Sequence, residues 1–237
     1  MILSLLTLSA ALATPLQADP AVDLPLVLGA GSVWLSLYTQ PGRQTLPDST
    51  TEAPRGLDAL APTTLHEGVA GISDAVLYGS IGLGLGATAL REDRADAVLL
   101  YAEALAVNGA LTELAKHAVR RPRPYTLSGT ALDADDNKSF FSGHTSFVAA
   151  TAFTTARAWD LEHDLSGGQR ALAYGLAAWL TAGTGAMRVA AAKHFPSDVI
   201  TGAMVGGAVG WLVPELHRHE GVSLTADLRQ VRVAGRF

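Results

Sequence analysis

Three histidines, a cluster of basic residues and one carboxylate fall into three short stretches of this chain: KHAVRRPRP from Lys116, SFFSGHTS from Ser139 and RVAAAKHFPSD from Arg188. Residues of these types can grip a phosphoryl group and attack it. Transfer of such a group needs cationic and amide donors around its equatorial oxygens, with a nucleophile and a proton donor in line with the breaking bond. Lys116 and Arg123 are spaced to lie two turns apart on one face of a continuing helix. Pro122 and Pro124 bracket Arg123, which predicts a helix end nearby and a stiff, extended turn carrying the guanidinium. Arg120 and Arg121 read as flanking basic residues.

Ser142-Gly143-His144 stands just before the apolar run FVAATAF. The order predicts Ser142 as a helix N-cap and Gly143 as a point of close backbone approach. A helix start presents free N–H groups to an anion, and His144 at its edge could protonate a leaving alkoxide. In the third stretch Pro196 suits a first helical turn, and His194 and Asp198 stand four apart. A carboxylate one turn along can hold one ring nitrogen as N–H and leave the other as a nucleophilic lone pair.

The ordered set Lys116-x6-Arg123-Pro124, Ser142-Gly143-His144 and Arg188-x5-His194-x3-Asp198 resembles the three-part signature of the type 2 phosphatidic acid phosphatase and vanadium haloperoxidase superfamily. The resemblance implies a metal-independent phosphatase that passes through a phosphohistidine. By the same carry-over His194 is the nucleophile, Asp198 its orienting partner and His144 the general acid. Lys116, Arg123, Ser142, Gly143 and Arg188 form the phosphate cradle, with no cofactor and with vanadate expected to bind as a phosphate mimic. Two positions depart from the pattern: Phe141 replaces the usual proline and Met187 the usual serine. Neither change deletes a charge or a catalytic histidine, so altered rate or substrate fit is expected, with the chemistry retained.

Other polar residues read as structural. His117, His163, His217 and His219 lack zinc-ligand spacing apart from the weak His217-x-His219 pair, which is assigned to a solvated surface. Glu103, Asn108 and Glu113 interrupt an apolar helical pattern and serve either helix contacts or the support of site residues from behind, with Glu113 three residues from Lys116 and able to pair with it. Asp74 is either a helix start or a buried polar contact.

A chain of 237 residues without a visible repeat fits one domain, 19–237, after a leader at 1–18. The leader has an apolar core and a small-residue Ala11-Leu12-Ala13 site, as in export signals, but no positive start; a membrane anchor is the alternative. Export would place the protein in the cell envelope, on the periplasmic side. Cysteine is absent, which excludes disulfides and thiolate metal sites. The net charge of -5 gives no basic excess for nucleic acid. Helices are predicted at about 24–38, 75–90, 95–119, 145–159, 171–192 and 197–212. The fold class is therefore all-α, a bundle of about six helices with the site at one end and a short C-terminal β-hairpin in the tail. Gly202, Gly206, Gly207 and Gly210 predict tight helix packing. The uncharged cores reach only about 15 to 19 residues, short of the roughly 20 of a membrane span. With Asp74, Glu103 and Glu113 inside the segments, the reading leans to a compact bundle in the periplasm or at a membrane surface, with the bilayer as the other option.

The expected function is hydrolysis of a phosphate monoester, with lipid phosphates, isoprenyl diphosphates and soluble phosphomonoesters all open as substrates. Two alternatives stand beside it. One is a vanadate-dependent haloperoxidase, although such enzymes tend to be longer. The other is a non-catalytic envelope protein whose site has decayed, which Phe141 and Met187 keep open.

Overall fold

The computed structural model describes residues 9–10, 16–40, 53–91, 94–129, 135–218, 223–226 and 231–234. Most of the leader at 1–18 lies outside them. Six helices follow in order: α1 (Pro20–Tyr38), α2 (Glu67–Ala89), α3 (Arg94–Val119), α4 (Gly143–His163), α5 (Gly167–Ala190) and α6 (Pro196–Leu216). Their starts follow the local chemistry. Asp19 caps α1 by accepting from the Ala21 amide, Ser142 caps α4 by accepting from the Thr145 amide, and Ser166 with Gln169 closes a capping box on α5. Pro20 and Pro196 occupy first-turn positions, where the missing N–H costs nothing. In the tail, Ser223–Ala226 pairs antiparallel with Val231–Ala234.

Helix α4 is the central element, packed on α2, α3, α5 and α6. Its tightest partner is α6, and glycine is the reason. A Cβ added at Gly202 would stand 2.6 Å from the Ser142 carbonyl oxygen, and one at Gly210 would stand 2.5 Å from that of Ala150. Gly206, between them, would meet the Ser146 carbonyl even more closely. Three glycines at four-residue spacing thus lay α6 directly on the backbone of α4, while Gly207 faces the Phe153 ring at an ordinary 3.9 Å. That contact sets the N-terminal ends of the two helices side by side.

Four helical stretches, Pro20–Tyr38, Glu67–Ala89, Ala95–Ser128 and Pro196–Leu216, are long and apolar enough to cross a membrane. This corrects the expectation of segments that stop short of a span. The sequence-based estimate counted uncharged cores, but the helices run through their charged residues and turn them inward. Glu103 and Glu113 are 5% and 2% exposed. Apolar side chains such as Tyr78, Leu83, Trp179 and Met204 are exposed instead. Apolar groups outside and ionisable groups inside is the arrangement a lipid solvent selects.

Candidate active site

The C-terminal ends of α3 and α5 and the N-terminal ends of α4 and α6 lie at one end of the bundle, with the first turns of α2 beside them. These ends carry the three stretches. Helix α3 stops at Val119, Arg120 turns the chain with φ of 50°, and Arg123 folds back. Its Nε donates to the Asp135 carbonyl at 2.9 Å and its Nη1 to the Lys193 carbonyl at 3.2 Å, which fastens the first stretch to the third. Lys116 Nζ pairs with Glu113 Oε1 at 2.7 Å. The same ammonium lies 3.4 Å from where a Gly143 side chain would begin, so the bare glycine seats the cation against the start of α4. There the first amides of the helix have no intrahelical acceptor.

His194 is 2% exposed in the turn between α5 and α6. Ala192, with φ of 59°, reverses the chain, and the amides of Lys193 and His194 both donate to the Arg188 carbonyl. The ring is held by Nδ1, which lies 2.7 Å from the Ser139 carbonyl oxygen. A carbonyl only accepts, so Nδ1 carries the proton and Nε2 is left with the lone pair. Burial, then the charges of Arg123, Arg188 and Lys116, hold the His194 pKa well below the usual 6.5 and keep the ring neutral.

Asp198 does not bond the ring directly, as the four-residue spacing suggested; its Oδ2 is 3.8 Å from Nδ1. That oxygen instead accepts from Ser139 Oγ at 2.5 Å and from the Phe195 amide at 2.9 Å. Its Oδ1 accepts from Arg121 Nη1 at 2.6 Å. Arg121 is thereby a fixed element. It also binds Asp58, at 2.6 Å, and Ser197, at 2.8 Å, and lies 4.0 Å over the Phe195 ring. The Ser142 amide donates to the Asp198 carbonyl at 3.1 Å, joining the starts of α4 and α6.

His144 faces α2. Its Nε2 is 2.6 Å from Asp74 Oδ1, and Arg188 Nη1 reaches the same oxygen at 3.3 Å and Ser73 Oγ at 3.1 Å. Asp74 is therefore a partner of the site and no helix start, since α2 begins about two turns earlier at Glu67. Arg188 Nε is buried without a hydrogen-bond partner among the described residues. A buried N–H of this kind marks room for an acceptor. Of the two departures from the signature, Phe141 is buried against Phe140 and Met187 is half-buried one residue before Arg188.

All eight residues singled out from the sequence come to this end of the bundle. Sequence reasoning missed Asp74, Ser139, Arg121 and Asp58 as parts of it. Asp74 and Asp58 come from segments far from the three stretches, and the functional atom of Ser139 is a backbone carbonyl that no residue type announces.

The model of the PAP2 superfamily matches residues 97–221, over half of the chain and all three stretches. The chain belongs to the PAP2 superfamily. A lipid A 1-phosphatase of Porphyromonas gingivalis is 37% identical over 117 residues, 48% of this chain, and the match spans 23% of that protein's length. A transmembrane PAP2-type phosphatidylglycerolphosphate phosphatase from Bacillus subtilis superposes with a TM-score of 0.53 at 17% identity. That superposition covers 82% of this chain and 94% of the other and establishes a shared PAP2 fold.

Proposed function

We propose that this PAP2 protein is an integral membrane phosphatase that hydrolyses a lipid phosphate monoester in two steps through a phosphohistidine. The observation that carries the reading is the His194 ring, held neutral first by its burial and then by three cations, and fixed by Nδ1 so that Nε2 is available for attack. In the first step Nε2 attacks phosphorus and the bond to the leaving oxygen breaks. His144, with Nε2 on Asp74, protonates that oxygen. In the second step water attacks the phosphohistidine, gives its proton to His144 and returns His194 to its neutral state. Lys116, Arg123, Arg188 and the amides at the start of α4 hold the charge on the equatorial oxygens, the task that a metal ion performs in other phosphotransfer sites. Vanadate should occupy the same cradle.

The lipid assignment rests on the four long apolar stretches and their exposed apolar side chains. Rapid-quench labelling with a radiolabelled phosphate ester tests the mechanism. It should trap a stoichiometric, acid-labile and base-stable phosphoenzyme in the wild type and none in His194→Ala. Turnover by His194→Ala at the wild-type rate would end the assignment. Recovery of the expressed chain in carbonate-washed membranes, with phospholipid phosphates hydrolysed faster than soluble ones, tests the rest.

A further inference from the structure

Away from the phosphate cradle, three ionisable side chains from separate helices meet inside the bundle. Asp23 lies in the first turns of α1, Glu103 in the middle of α3 and His217 just past the end of α6. The carboxylates are 4% and 5% exposed. Along α6, His217 stands about 28 Å from Asp198 at 1.5 Å per residue, so the cluster sits toward the opposite end of the molecule. The sequence pattern assigns His217 to a solvated surface, but its side chain turns inward. Its Nδ1 lies 2.8 Å from the Val213 carbonyl and must donate to it. The Nε2 is thereby aimed at the acids, 3.1 Å from Asp23 Oδ1 and 3.6 Å from Glu103 Oε2.

We propose that Asp23, Glu103 and His217 form a structural site for one divalent transition-metal ion, with Zn2+ the best fit. The three ligand atoms lie within 4.8 Å of one another. Their separations from Nε2 bracket the roughly 3.3 Å between neighbouring ligands of a tetrahedral zinc with bonds of about 2.0–2.1 Å. A histidine whose Nδ1 is fixed on a backbone carbonyl and whose Nε2 faces two carboxylates has the tautomer and orientation of a metal ligand. Glu103 Oε2 supplies an independent sign, because it is buried with no hydrogen-bond partner. Charge points the same way. Among the described residues His217 is the cationic group within ion-pair distance of both acids, so with both carboxylates ionised even an imidazolium leaves one buried negative charge uncompensated. A dication with neutral imidazole balances the cluster. The Gln17 amide also donates to the His217 carbonyl at 3.2 Å, so an ion here would tie the entry to α1 and the end of α6 to α3.

The test uses the full-length protein purified in detergent, stripped with chelator and reloaded with Zn2+ or Mn2+. One equivalent of metal should be retained after desalting, and the unfolding midpoint should rise by about 5–10 °C at a hundredfold excess over Kd. Glu103→Gln should weaken retention by about 100-fold or more, while His194→Gln, at the other end of the molecule, should leave it unchanged. X-ray absorption of the zinc-loaded wild type should show a single imidazole among oxygen neighbours, a readout that survives if Glu103→Gln fails to fold. Absence of stoichiometric metal in the wild type, two imidazoles around the ion, or equal retention by a folded Glu103→Gln protein would each overturn the proposal.

Discussion

The carbonyl oxygen of Ser139 lies 2.7 Å from His194 Nδ1, while Asp198 Oδ2 stands 3.8 Å from the same nitrogen. The backbone of the second stretch, and no acidic side chain, is the direct holder of the ring. Asp198 acts one step back, by taking the Ser139 hydroxyl at 2.5 Å and the Arg121 guanidinium at 2.6 Å. Asp198→Asn should therefore loosen the ring without removing its acceptor. The expected outcome is a fall in kcat of about 10- to 100-fold with KM little changed, from misplacement of the attacking nitrogen. Single-turnover labelling should show the phosphoenzyme forming slowly in Asp198→Asn. If the carboxylate instead held the ring directly, the loss would match that of His194→Ala.

A neutral His194 at acidic pH follows from its surroundings. Burial and the charges of Arg123, Arg188 and Lys116 depress its pKa, so the nucleophilic form persists below the usual 6.5. The acid limb of kcat/KM should have its midpoint well below pH 6.5, and Arg123→Gln, which removes one cation, should move that midpoint upward. The sign for stability is the same. The folded ring takes its proton later than the unfolded one, so this group's contribution is complete above about pH 6.5 and is lost as pH falls toward the lowered value. A pH–rate profile of wild type and Arg123→Gln, with unfolding midpoints across the same range, reads both effects.

Helix periodicity found six helices, with α2 starting earlier than read, and the signature picked out eight residues that the fold brings to one end of the bundle, because both depend on residue type at fixed local spacing. What the sequence hid has physical causes. Ser139 contributes a backbone atom, and Arg121 differs from Arg120 only in meeting Asp58 and Asp198 after folding. Asp74 comes from a helix whose order in the sequence says nothing of its place beside α4. The spans were underestimated because Glu103 and Glu113 point into the bundle, and a count of uncharged residues is blind to direction.

Asp74 Oδ1 meets both His144 Nε2, at 2.6 Å, and Arg188 Nη1, at 3.3 Å. Burial and the charge of Arg188 push the His144 pKa down to about 4, and the Asp74 carboxylate opposes that shift, favouring the protonated imidazole that a general acid must be. Asp74→Asn keeps the shape and removes the charge. Hydrolysis of an alkyl phosphate, whose leaving oxygen needs the proton, should fall by about 100-fold or more, while an aryl phosphate with a stable phenolate leaving group should fall by less than about 10-fold. His144→Gln should show the same contrast, more steeply. Equal losses on both esters would place Asp74 and His144 outside proton transfer.

The seam between α4 and α6 gives a prediction about stability. Gly206 rests on the Ser146 carbonyl with no room for a Cβ, whereas Gly207, one position on, would meet only the Phe153 ring at 3.9 Å. Gly206→Ala must push the helices apart and should destabilise the fold by about 1–3 kcal/mol, as overpacking does. It should also lower activity, because the starts of these two helices carry Ser142, His144 and Asp198. Gly207→Ala adds a methyl where space exists and gains the better helix former, so it should be neutral or stabilising by up to about 1 kcal/mol. Thermal unfolding of both variants in the same detergent decides the point. Similar midpoints for the two would mean that the close approach of α6 to α4 does not carry the packing.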